Sequence, residues 1–380
     1  MLTHSDYVHT DAGVEKVIQG QEKLFLEQGF NFIAVYPIRK DLQILGMTHS
    51  HTMSDYGLIV NGEAKGRIDQ EALETLVSME DLQGVIIHEL VTFKKNDKLF
   101  AFFDRITCPI YYFVHDYAMV CYNHVLMRNN KEFCGTEPLS FQKCKNCRFY
   151  LEGKFNEAWQ RKFVKRYPQI VYLFPSLVVR EIWQKHFQAD NEFYIVPNTK
   201  FGTETKEYPE RVQNQPLRLA FIGYGRVEKG WDIWQELCQR YDQQYELYVL
   251  GDGECSANVK QIPVSVAKDG PNAMIDAIRR EKIDVAFLWS LVPETYSYTF
   301  FETFVSGCFI LTNPHSGNIY TMTEQLKCGK VFENKEALWI FLDQYEQVCR
   351  RIEQMYQERK NYPLKLENND EILNIIRGQQ

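Results

Sequence analysis

Short apolar runs alternate with amphipathic stretches throughout the second half of the chain. This alternation is typical of βαβ units, in which helices connect the strands of a parallel sheet. The predicted strands are Leu217 to Gly223, Tyr245 to Gly251, Val285 to Trp289 and Cys308 to Asn313, and the predicted helices are Trp231 to Tyr241, Asn272 to Arg280 and Tyr298 to Ser306. The pattern therefore predicts a Rossmann-like domain.

The first half of the chain alternates less regularly and predicts a smaller α/β domain. A helix is predicted over Gly13 to Gln28, and the apolar runs are Phe30 to Ile38, Gly84 to Leu90, Ile110 to His115, Ile170 to Pro175 and Phe193 to Pro197. The polar segment Asn198 to Pro216 has no periodic apolar pattern, so the domain linker is placed there. A last helix is predicted over Asn368 to Ile376.

These patterns divide the chain into two domains and a tail. An N-terminal Rossmann-like domain covers residues 1–200, with a cysteine-containing insertion at about 117–155. A C-terminal Rossmann-like domain covers residues 215–365, and residues 366–380 form the last helix. With 380 residues, the chain exceeds what one hydrophobic core usually supports, which also favours two domains.

Composition and charge narrow the class of protein. The chain is 45% hydrophobic and 24% charged, a globular balance, and its net charge of -7 argues against nucleic acid as a partner. Residues Met1 to Thr10 lack the basic and apolar regions of a signal peptide, and no window reaches the roughly 18–20 consecutive apolar residues of a membrane span. We therefore expect a cytoplasmic protein whose membrane contact, where it occurs, is peripheral at the inner face.

A strand-to-helix turn at Tyr224 to Asp232 places two cations beside two glycines. Arg226 can bind a phosphate through two parallel hydrogen bonds, and Lys229 can add a compact positive charge. The alternative interpretation is a solvated turn whose charges have no ligand.

Two carboxylates, Glu294 and Glu302, stand eight positions apart around a polar and aromatic loop that opens a helix. If Glu294 lies in the loop and Glu302 about one turn inside the helix, one carboxylate can hold sugar hydroxyls and the other a ribose. The alternative is one acid at a helix N-terminus and one on the surface.

The second half resembles the retaining GT-B glycosyltransferases grouped as glycosyltransferase family 4, an α/β fold of two Rossmann-like domains facing a central cleft. The E-x7-E motif of that family matches Glu294 and Glu302. Other family motifs are matched by Gly225-Arg226 with Lys229-Gly230 (donor-phosphate turn), Val249 to Gly253 (a turn bordering the nucleotide base), Gly307 with Cys308 to Asn313 (a strand step) and Ser316 to Asn318 (a Gly-rich turn).

The first half is similar to the same family in outline. Ala12 to Glu15 resembles its "GGvE" loop and His115-Asp116 its "vHD" strand end, although Ala12 replaces the first glycine. Few residues precede Gly13, so the family's usual first strand is expected to be clipped or absent.

The resemblance implies a set of site residues and a mechanism. It implies catalytic roles for His115, which contacts the transferred sugar, and for Arg226, Lys229 and Glu294. It implies donor binding by Gly13, Gly225, Gly251, Gly253, Tyr296, Ser297, Tyr298, Thr299 and Glu302. Fixed cations and N–H dipoles would stabilise charge developing on the β-phosphate of a UDP-, GDP- or dTDP-linked sugar, a mechanism that requires no metal cofactor.

Four cysteines follow His115, and their set has two interpretations. Cys121, Cys134, Cys144 and Cys147 can form a closed structural zinc site, as some family relatives have a similar set, or remain buried thiols.

Residues Asn156 to Tyr167 form an amphipathic basic helix that can lie on an anionic membrane or simply be a solvated helix. His88, at the end of an apolar run, is interpreted as a core histidine with satisfied hydrogen bonds.

These observations predict a retaining hexosyl- or related transferase. The substrates are a nucleotide-sugar and a glycan or lipid-linked acceptor, in the synthesis of a surface polysaccharide or glycoconjugate. The alternatives are a catalytically inactive GT-B subunit that serves as a binding or chaperone partner, and a GT-B nucleotide-sugar epimerase.

Overall fold

The computed structural model describes residues 1–10, 13–44, 47–204, 216–255 and 258–378. Ala12 of the predicted glycine loop and residues 205–215 of the predicted linker lie outside the described residues. The strands are β1 Ile33–Ile44, β2 Met47–Val60, β3 Glu63–Ile68, β4 Val85–Ile87, β5 Ile110–Phe113, β6 Met127–Arg128, β7 Glu132–Phe133, β8 Val171–Phe174, β9 Phe193–Ile195, β10 Thr199–Thr203, β11 Arg218–Tyr224, β12 Glu246–Asp252, β13 Lys260–Ile262, β14 Val285–Phe287, β15 Phe309–Thr312, β16 Gly329–Val331 and β17 Leu364–Asn368. The α-helices are α1 Gly13–Glu27, α2 Gln70–Val77, α3 Asp97–Phe103, α4 Phe141–Cys144, α5 Tyr150–Arg166, α6 Leu177–Phe187, α7 Trp231–Tyr241, α8 Val266–Asp269, α9 Ala273–Arg280, α10 Tyr298–Val305, α11 Asn318–Leu326, α12 Lys335–Asp343, α13 Tyr345–Arg359 and α14 Glu371–Ile376.

The chain forms two compact units. The N-terminal unit contains Met1–His124, Thr136–Asn198 and Asn368–Gln380, and the C-terminal unit contains Val125–Gly135 and Thr199–Glu367. Helix α14 therefore belongs to the N-terminal unit, where its apolar side chains Ile372, Leu373 and Ile375 join a cluster of buried residues that includes Ile18 and Phe25 of α1.

The C-terminal unit is built on a six-stranded parallel sheet in the order β13-β12-β11-β14-β15-β16. In chain order this is 3-2-1-4-5-6, the doubly wound Rossmann order. Helix α7 shows why the sequence pattern is informative here. Its buried residues Trp234, Leu237, Cys238 and Tyr241 recur at the spacing of one helix face.

The N-terminal unit has a parallel sheet in the order β4-β5-β8-β9. Leu2 extends this sheet, because it makes parallel bridges to both Ile87 and Val35. Its amide donates to the Ile86 carbonyl and its carbonyl accepts from the His88 amide, both at 2.8 Å. Leu2 makes these bridges as a single residue outside the strands, where the sequence predicted a clipped or absent first strand.

The basic helix predicted for membrane contact is α5, which begins earlier than predicted, at Tyr150. Its apolar residues Trp159, Phe163 and Val164 are buried in the core of the N-terminal unit. The interpretation of this face as membrane-docking is therefore wrong, because packing within the unit already covers it. Within the described residues, no helix combines the length and the apolar character needed to span a bilayer.

Candidate functional site

Two glycine-rich turns follow neighbouring strands β11 and β12 at the carboxyl edge of the C-terminal sheet. Gly251 has φ +123°, and a Cβ there would lie 2.4 Å from the Gly223 carbonyl oxygen. A Cβ on Gly225 would lie 3.0 Å from the Gly253 Cα, and one on Gly253 would lie 2.4 Å from the Trp231 ring. Because these positions are glycines, the two turns are in contact, and the Trp231 ring packs against both of them.

The turn after β11 continues as a single turn of 3-10 helix, Val227–Lys229, and ends at Gly230. Gly230 has φ +80°, and a Cβ there would lie 2.3 Å from the Trp289 carbonyl oxygen, so this position requires glycine. Arg226, which precedes the turn, is largely exposed, and its guanidinium lies 3.9 Å from the Glu228 carboxylate. Arg226 is therefore accessible to an anion from solvent.

Lys229 and Glu294, which the sequence assigned to different parts of the donor, form an ion pair. The Lys229 Nζ lies 2.6 Å from Glu294 Oε1, and the Ser290 hydroxyl lies 2.8 Å from the same oxygen. The Glu294 side chain is 11% exposed and that of Lys229 is 40% exposed, so the carboxylate is shielded while the ammonium reaches solvent. The Leu291 amide also donates to the Glu228 carbonyl at 2.8 Å, which joins the two loops.

The backbone of Glu294 is held by the turn that follows β15. Its amide donates to the Ser316 carbonyl at 3.2 Å, and its carbonyl accepts from the Asn318 amide at 2.9 Å. Gly317, between these partners, has φ +64°, and a Cβ there would lie 2.6 Å from the Glu294 nitrogen. The Ser316-Gly317-Asn318 turn therefore fixes the loop that presents the Glu294 carboxylate.

Helix α10 begins directly after this loop. Ser297 is its N-cap, and the Ser297 side chain accepts from the Phe300 amide. Tyr298 and Thr299 form the first turn, where helix N–H groups lack intrahelical acceptors and favour negative charge. The Thr299 methyl lies against the end of β11, because a Cβ on Gly223 would be 3.6 Å from this methyl group. The start of α10 and the glycine turn are therefore adjacent.

Tyr296 and Glu302 complete this edge of the sheet. Tyr296 is stacked on Phe301, with ring centroids 4.6 Å apart, and its hydroxyl lies 2.5 Å from the Thr199 hydroxyl. Burial raises the pKa of Tyr296, so the phenol is protonated at neutral pH. Glu302 is buried in the second turn of α10. The sequence predicted this position, about one turn inside the helix.

His115 lies at the carboxyl edge of the N-terminal sheet, in contact with the histidine that follows the neighbouring strand β4. His88 Nδ1 lies 2.8 Å from His115 Nε2, and His88 Nε2 lies 3.0 Å from Gln21 Oε1. Both rings are buried, as predicted for His88. Burial lowers the pKa of His115 to about 3 and that of His88 well below 6.5, so both imidazoles are neutral at physiological pH.

The hydrogen bonds select one tautomer for each ring. Because Gln21 Oε1 is an acceptor, His88 Nε2 must carry the hydrogen, and Nδ1 of the neutral His88 ring must accept. His115 Nε2 is then the donor. Gln21, His88 and His115 therefore form one directed chain of hydrogen bonds.

An acid follows each of these histidines. Burial raises the pKa of Glu89, with a further increase from the charge of Asp116, and burial also raises the pKa of Asp116. Burial lowers the pKa of Lys95 to about 8, although the two carboxylates oppose this shift. The carboxyl edge of the N-terminal sheet thus combines neutral histidines with acids and a lysine that titrate closer to neutral pH than usual.

Gly13, the first residue of α1, is exposed, as an approach by its backbone to a ligand requires. Glu15, two residues later, is almost fully buried and accepts from the Ser5 hydroxyl at 2.7 Å. Its Oε1 also lies 3.3 Å from His4 Nε2. The start of α1 is therefore anchored to His4 and Ser5, which follow the bridge at Leu2.

The predicted four-cysteine zinc site is not supported. Within the described residues, no group of three or more His, Cys, Asp or Glu side chains has an arrangement that can hold a metal ion. Cys134 lies in the C-terminal unit, whereas Cys121, Cys144 and Cys147 lie in the N-terminal unit. All four are thiols, and the Cys134 thiol donates to the Leu126 carbonyl at 2.8 Å.

Sequence reasoning missed several partners of the predicted site residues. Thr199 and Gln21 act through contacts that are distant in sequence, and Ser290, only four residues before Glu294, belongs to no pattern that singles it out. A signal for Glu89 was available, since His88-Glu89 repeats the His-acid pattern of His115-Asp116 after a buried strand.

Comparison with known proteins identifies the fold. No family model matches the chain, and no curated protein matches its sequence. Sucrose-phosphate synthase from Thermosynechococcus elongatus is 10% identical with a TM-score of 0.53, over 82% of this chain and 75% of that one. HepE from Anabaena, solved in complex with UDP-glucose, is 11% identical with a TM-score of 0.51, over 75% of this chain and 74% of that one. TarM is 14% identical with a TM-score of 0.50, over 86% of this chain and 61% of that one. With the two parallel sheets, these similarities show that the chain has the GT-B fold of two Rossmann-like domains.

Proposed function

We propose that this protein is a retaining glycosyltransferase that resembles glycosyltransferase family 4. It would transfer a hexose or related sugar from a UDP-, GDP- or dTDP-linked donor to a glycan or lipid-linked acceptor in the synthesis of a surface polysaccharide or glycoconjugate. The observation that carries this proposal is the Lys229–Glu294 ion pair at the carboxyl edge of the Rossmann sheet, beside the turns that contain Gly225 and Gly253. The UDP-glucose complex of HepE, a protein of similar fold, supports a nucleotide-sugar as the donor.

The diphosphate is proposed to lie against the turn after β11. Lys229 has three N–H donors, and Glu294 uses one of them, so the others remain for phosphate oxygens. Because Glu294 already holds the ammonium, and the Ser290 hydroxyl donates to the same Glu294 oxygen, little reorganisation is needed when negative charge develops on the leaving phosphate. Arg226 adds a second, exposed cation at the same turn.

The start of α10 is proposed to bind the rest of the nucleotide. The amides of Tyr296, Ser297, Tyr298 and Thr299 stand where a helix N-terminus favours anions. Glu302, buried below them, would accept hydrogen bonds from ribose hydroxyls. Glu294 Oε2 would accept hydrogen bonds from the hydroxyls of the transferred sugar.

Retention is proposed to follow a same-face route in which the departing phosphate helps to deprotonate the acceptor hydroxyl. The bond from the anomeric carbon to the phosphate oxygen breaks and the bond to the acceptor oxygen forms, while the acceptor proton passes to the phosphate. His115 is proposed to contact the transferred sugar, and Gly13 to approach the diphosphate through its backbone.

A lipid-linked acceptor would require peripheral contact with a membrane. The buried face of α5 cannot supply this contact, but Leu151 and Phe155, one turn apart near the start of the helix, are 67% and 78% exposed. We propose these two side chains as the membrane-facing residues. Co-sedimentation with anionic vesicles that is unchanged in Leu151→Ser with Phe155→Ser would remove this part of the proposal.

Donor binding is the first test of the proposed function. Thermal shift against UDP-, GDP- and dTDP-sugars and the free diphosphates should identify one preferred nucleotide. A ligand at about 100 times its Kd stabilises a protein by about 2.7 kcal/mol, which raises the Tm of a domain of this size by roughly 5–10 °C. The absence of binding by every compound would favour an inactive partner subunit.

Two variants test which residues bind the nucleotide-sugar donor. Lys229→Met keeps the aliphatic stem but loses a charged hydrogen bond worth about 1.5–3 kcal/mol, so donor affinity should fall about 10- to 150-fold. Glu302→Ala should weaken the binding of nucleotide-sugars and of the free nucleoside diphosphate alike. The controls are Lys335→Met on α12, which removes a lysine paired with Glu236, and Glu324→Ala on α11, which removes an exposed carboxylate. Equal affinities in Lys229→Met and Lys335→Met would refute the assignment of the phosphate site.

A further inference from the structure

Helix α1 carries a glutamine on the face that packs into the core of the N-terminal unit. Ile18 and Phe25, three residues before Gln21 and four after it, belong to a cluster of buried apolar residues. Gln21 lies on the same face and is only 5% exposed. Burying an amide is costly unless it is hydrogen-bonded, and the partner of this amide is His88, whose Nε2 lies 3.0 Å from Gln21 Oε1. The hydrogen bond to His88 therefore accounts for a polar residue at an apolar position.

The rings of His88 and His115 both pack against a third ring, that of Phe113. The Phe113 centroid lies 5.3 Å from the His88 centroid and 5.2 Å from the His115 centroid. The angles between the ring planes are 4° and 8°, so the three rings are nearly parallel. In this arrangement His88 Nδ1 and His115 Nε2 are 2.8 Å apart. The packing fixes the orientation of each imidazole, and the remaining variable is which nitrogen carries the hydrogen.

Gln21 determines where these hydrogens are. It accepts the hydrogen of His88 Nε2, which leaves His88 Nδ1 as an acceptor and requires His115 to carry its hydrogen on Nε2. A hydrogen on His88 Nδ1 would reverse the bond between the rings and place the His115 hydrogen on Nδ1. A positive charge on His88 would also reverse it, but burial lowers the pKa of His88 well below 6.5, and His115, the Met1 amino group and His4 lower this pKa further.

We propose that Gln21 and His88 are positioning residues of the transferase, because together they fix the orientation and the tautomer of His115. This inference rests on the proposed function, in which His115 contacts the transferred sugar. The tautomer matters for that contact, since each nitrogen of a neutral imidazole is either a donor or an acceptor to a sugar hydroxyl. Gln21 also lies on the helix whose first residue, Gly13, is proposed to approach the diphosphate. Helix α1 thus serves the site twice, at its start and about two turns later.

Long-range ¹H–¹⁵N NMR of the full chain, labelled with ¹⁵N-histidine, measures the tautomers directly, and His115→Gln assigns the His115 signals. The wild type should carry the His115 hydrogen on Nε2. Gln21→Met keeps the length of the side chain but removes the acceptor. An unpaired buried N–H is costly, so the hydrogens of His88 and His115 should both move to Nδ1. Gln19→Met is the matched control and should leave both tautomers unchanged, because Gln19 lies on the same helix and donates to the Tyr7 carbonyl.

A wild-type His115 with its hydrogen on Nδ1, or tautomers that Gln21→Met leaves unchanged, would overturn the proposal.

Steady-state kinetics tests whether the tautomer affects the reaction. Gln21→Met should lower kcat about tenfold, the typical effect of one hydrogen bond, and leave the KM of the nucleotide-sugar within about twofold of the wild-type value. Gln19→Met should retain the wild-type kcat, and an equal fall in both variants would refute the positioning role. A changed tautomer with an unchanged kcat would refute the positioning role alone. A wild type that transfers no sugar would instead refute the proposed function, and the positioning role with it.

Discussion

His115 should make the N-terminal unit less stable as the pH falls. Burial lowers its pKa in the folded protein to about 3, whereas an unfolded chain has a histidine pKa of about 6.5. Between these two values the unfolded chain binds a proton that the folded chain does not. The stability that His115 confers is therefore complete above pH 6.5 and is lost progressively as the pH falls towards 3.

The size of this effect follows from the two pKa values. At pH 5 the folded ring is still neutral, and the pH is 1.5 units below the unfolded pKa, so the loss is about 2 kcal/mol at 1.36 kcal/mol per unit. His88 contributes in the same direction, since its pKa is also lowered. Glu89 and Asp116 act in the opposite direction, because their raised pKa values let the folded protein take up protons first. A comparison of variants is therefore needed to isolate His115.

Hydrogen exchange of peptides that contain β4 and β5 measures the stability of this unit, after correction for the intrinsic exchange rate at each pH. Between pH 7 and pH 5, the free energy of unfolding of the wild type should fall by about 2 kcal/mol more than that of His115→Gln. His9→Gln, which removes an exposed imidazole, should retain the full wild-type loss. The reasoning fails if His115→Gln and the wild type lose equal stability, or if the ¹⁵N resonances of His115 titrate near pH 6.5.

Two further predictions concern packing in the C-terminal unit. Gly253→Ala places a Cβ 2.4 Å from the Trp231 ring, so the free energy of unfolding should fall by about 1–3 kcal/mol. Adding Trp231→Phe to this variant should restore part of the lost stability. Thermal unfolding measures both changes, and a loss of the same size in the double variant would contradict the proposed contact. Tyr296→Phe removes the hydroxyl bonded to Thr199 and should cost about 1 kcal/mol. A double-mutant cycle with Thr199→Val that shows no coupling would contradict this bond.

The four strands and three helices that the sequence predicted in the C-terminal unit are present with nearly the predicted bounds, although β13, β16 and helices α11 to α13 were not predicted. Helix α7 begins and ends at the predicted residues Trp231 and Tyr241, and strands β11 and β12 differ from their predicted bounds by one residue at each end. Parallel strands that are covered on both faces appear as continuous apolar runs, and the helices between them carry a clear apolar face. These two periodicities are local, so a single sequence shows them.

The N-terminal unit was predicted less well because parts of it depend on distant contacts. The sequence indicated an apolar run near Phe30 but did not predict the long antiparallel pair β1 and β2, nor β3. These strands are rich in polar residues and lack the alternation of a half-buried sheet. The interpretation of the apolar face of residues 156–167 as membrane-docking failed for a related reason, since an amphipathic pattern predicts a buried face but not what covers it.

The candidate site shows the same division between what is local and what is not. A motif can give the identity of a residue such as Lys229 or Glu294, but only the structure shows that the two are bonded to each other. This bond changes the interpretation of both residues, because a carboxylate that orients the lysine proposed to bind phosphate would contribute to charge stabilisation even without contact with the sugar. Loss of Glu294 should therefore impair binding of a free nucleoside diphosphate as well as of a nucleotide-sugar. A residue that held only sugar hydroxyls would affect the nucleotide-sugar alone.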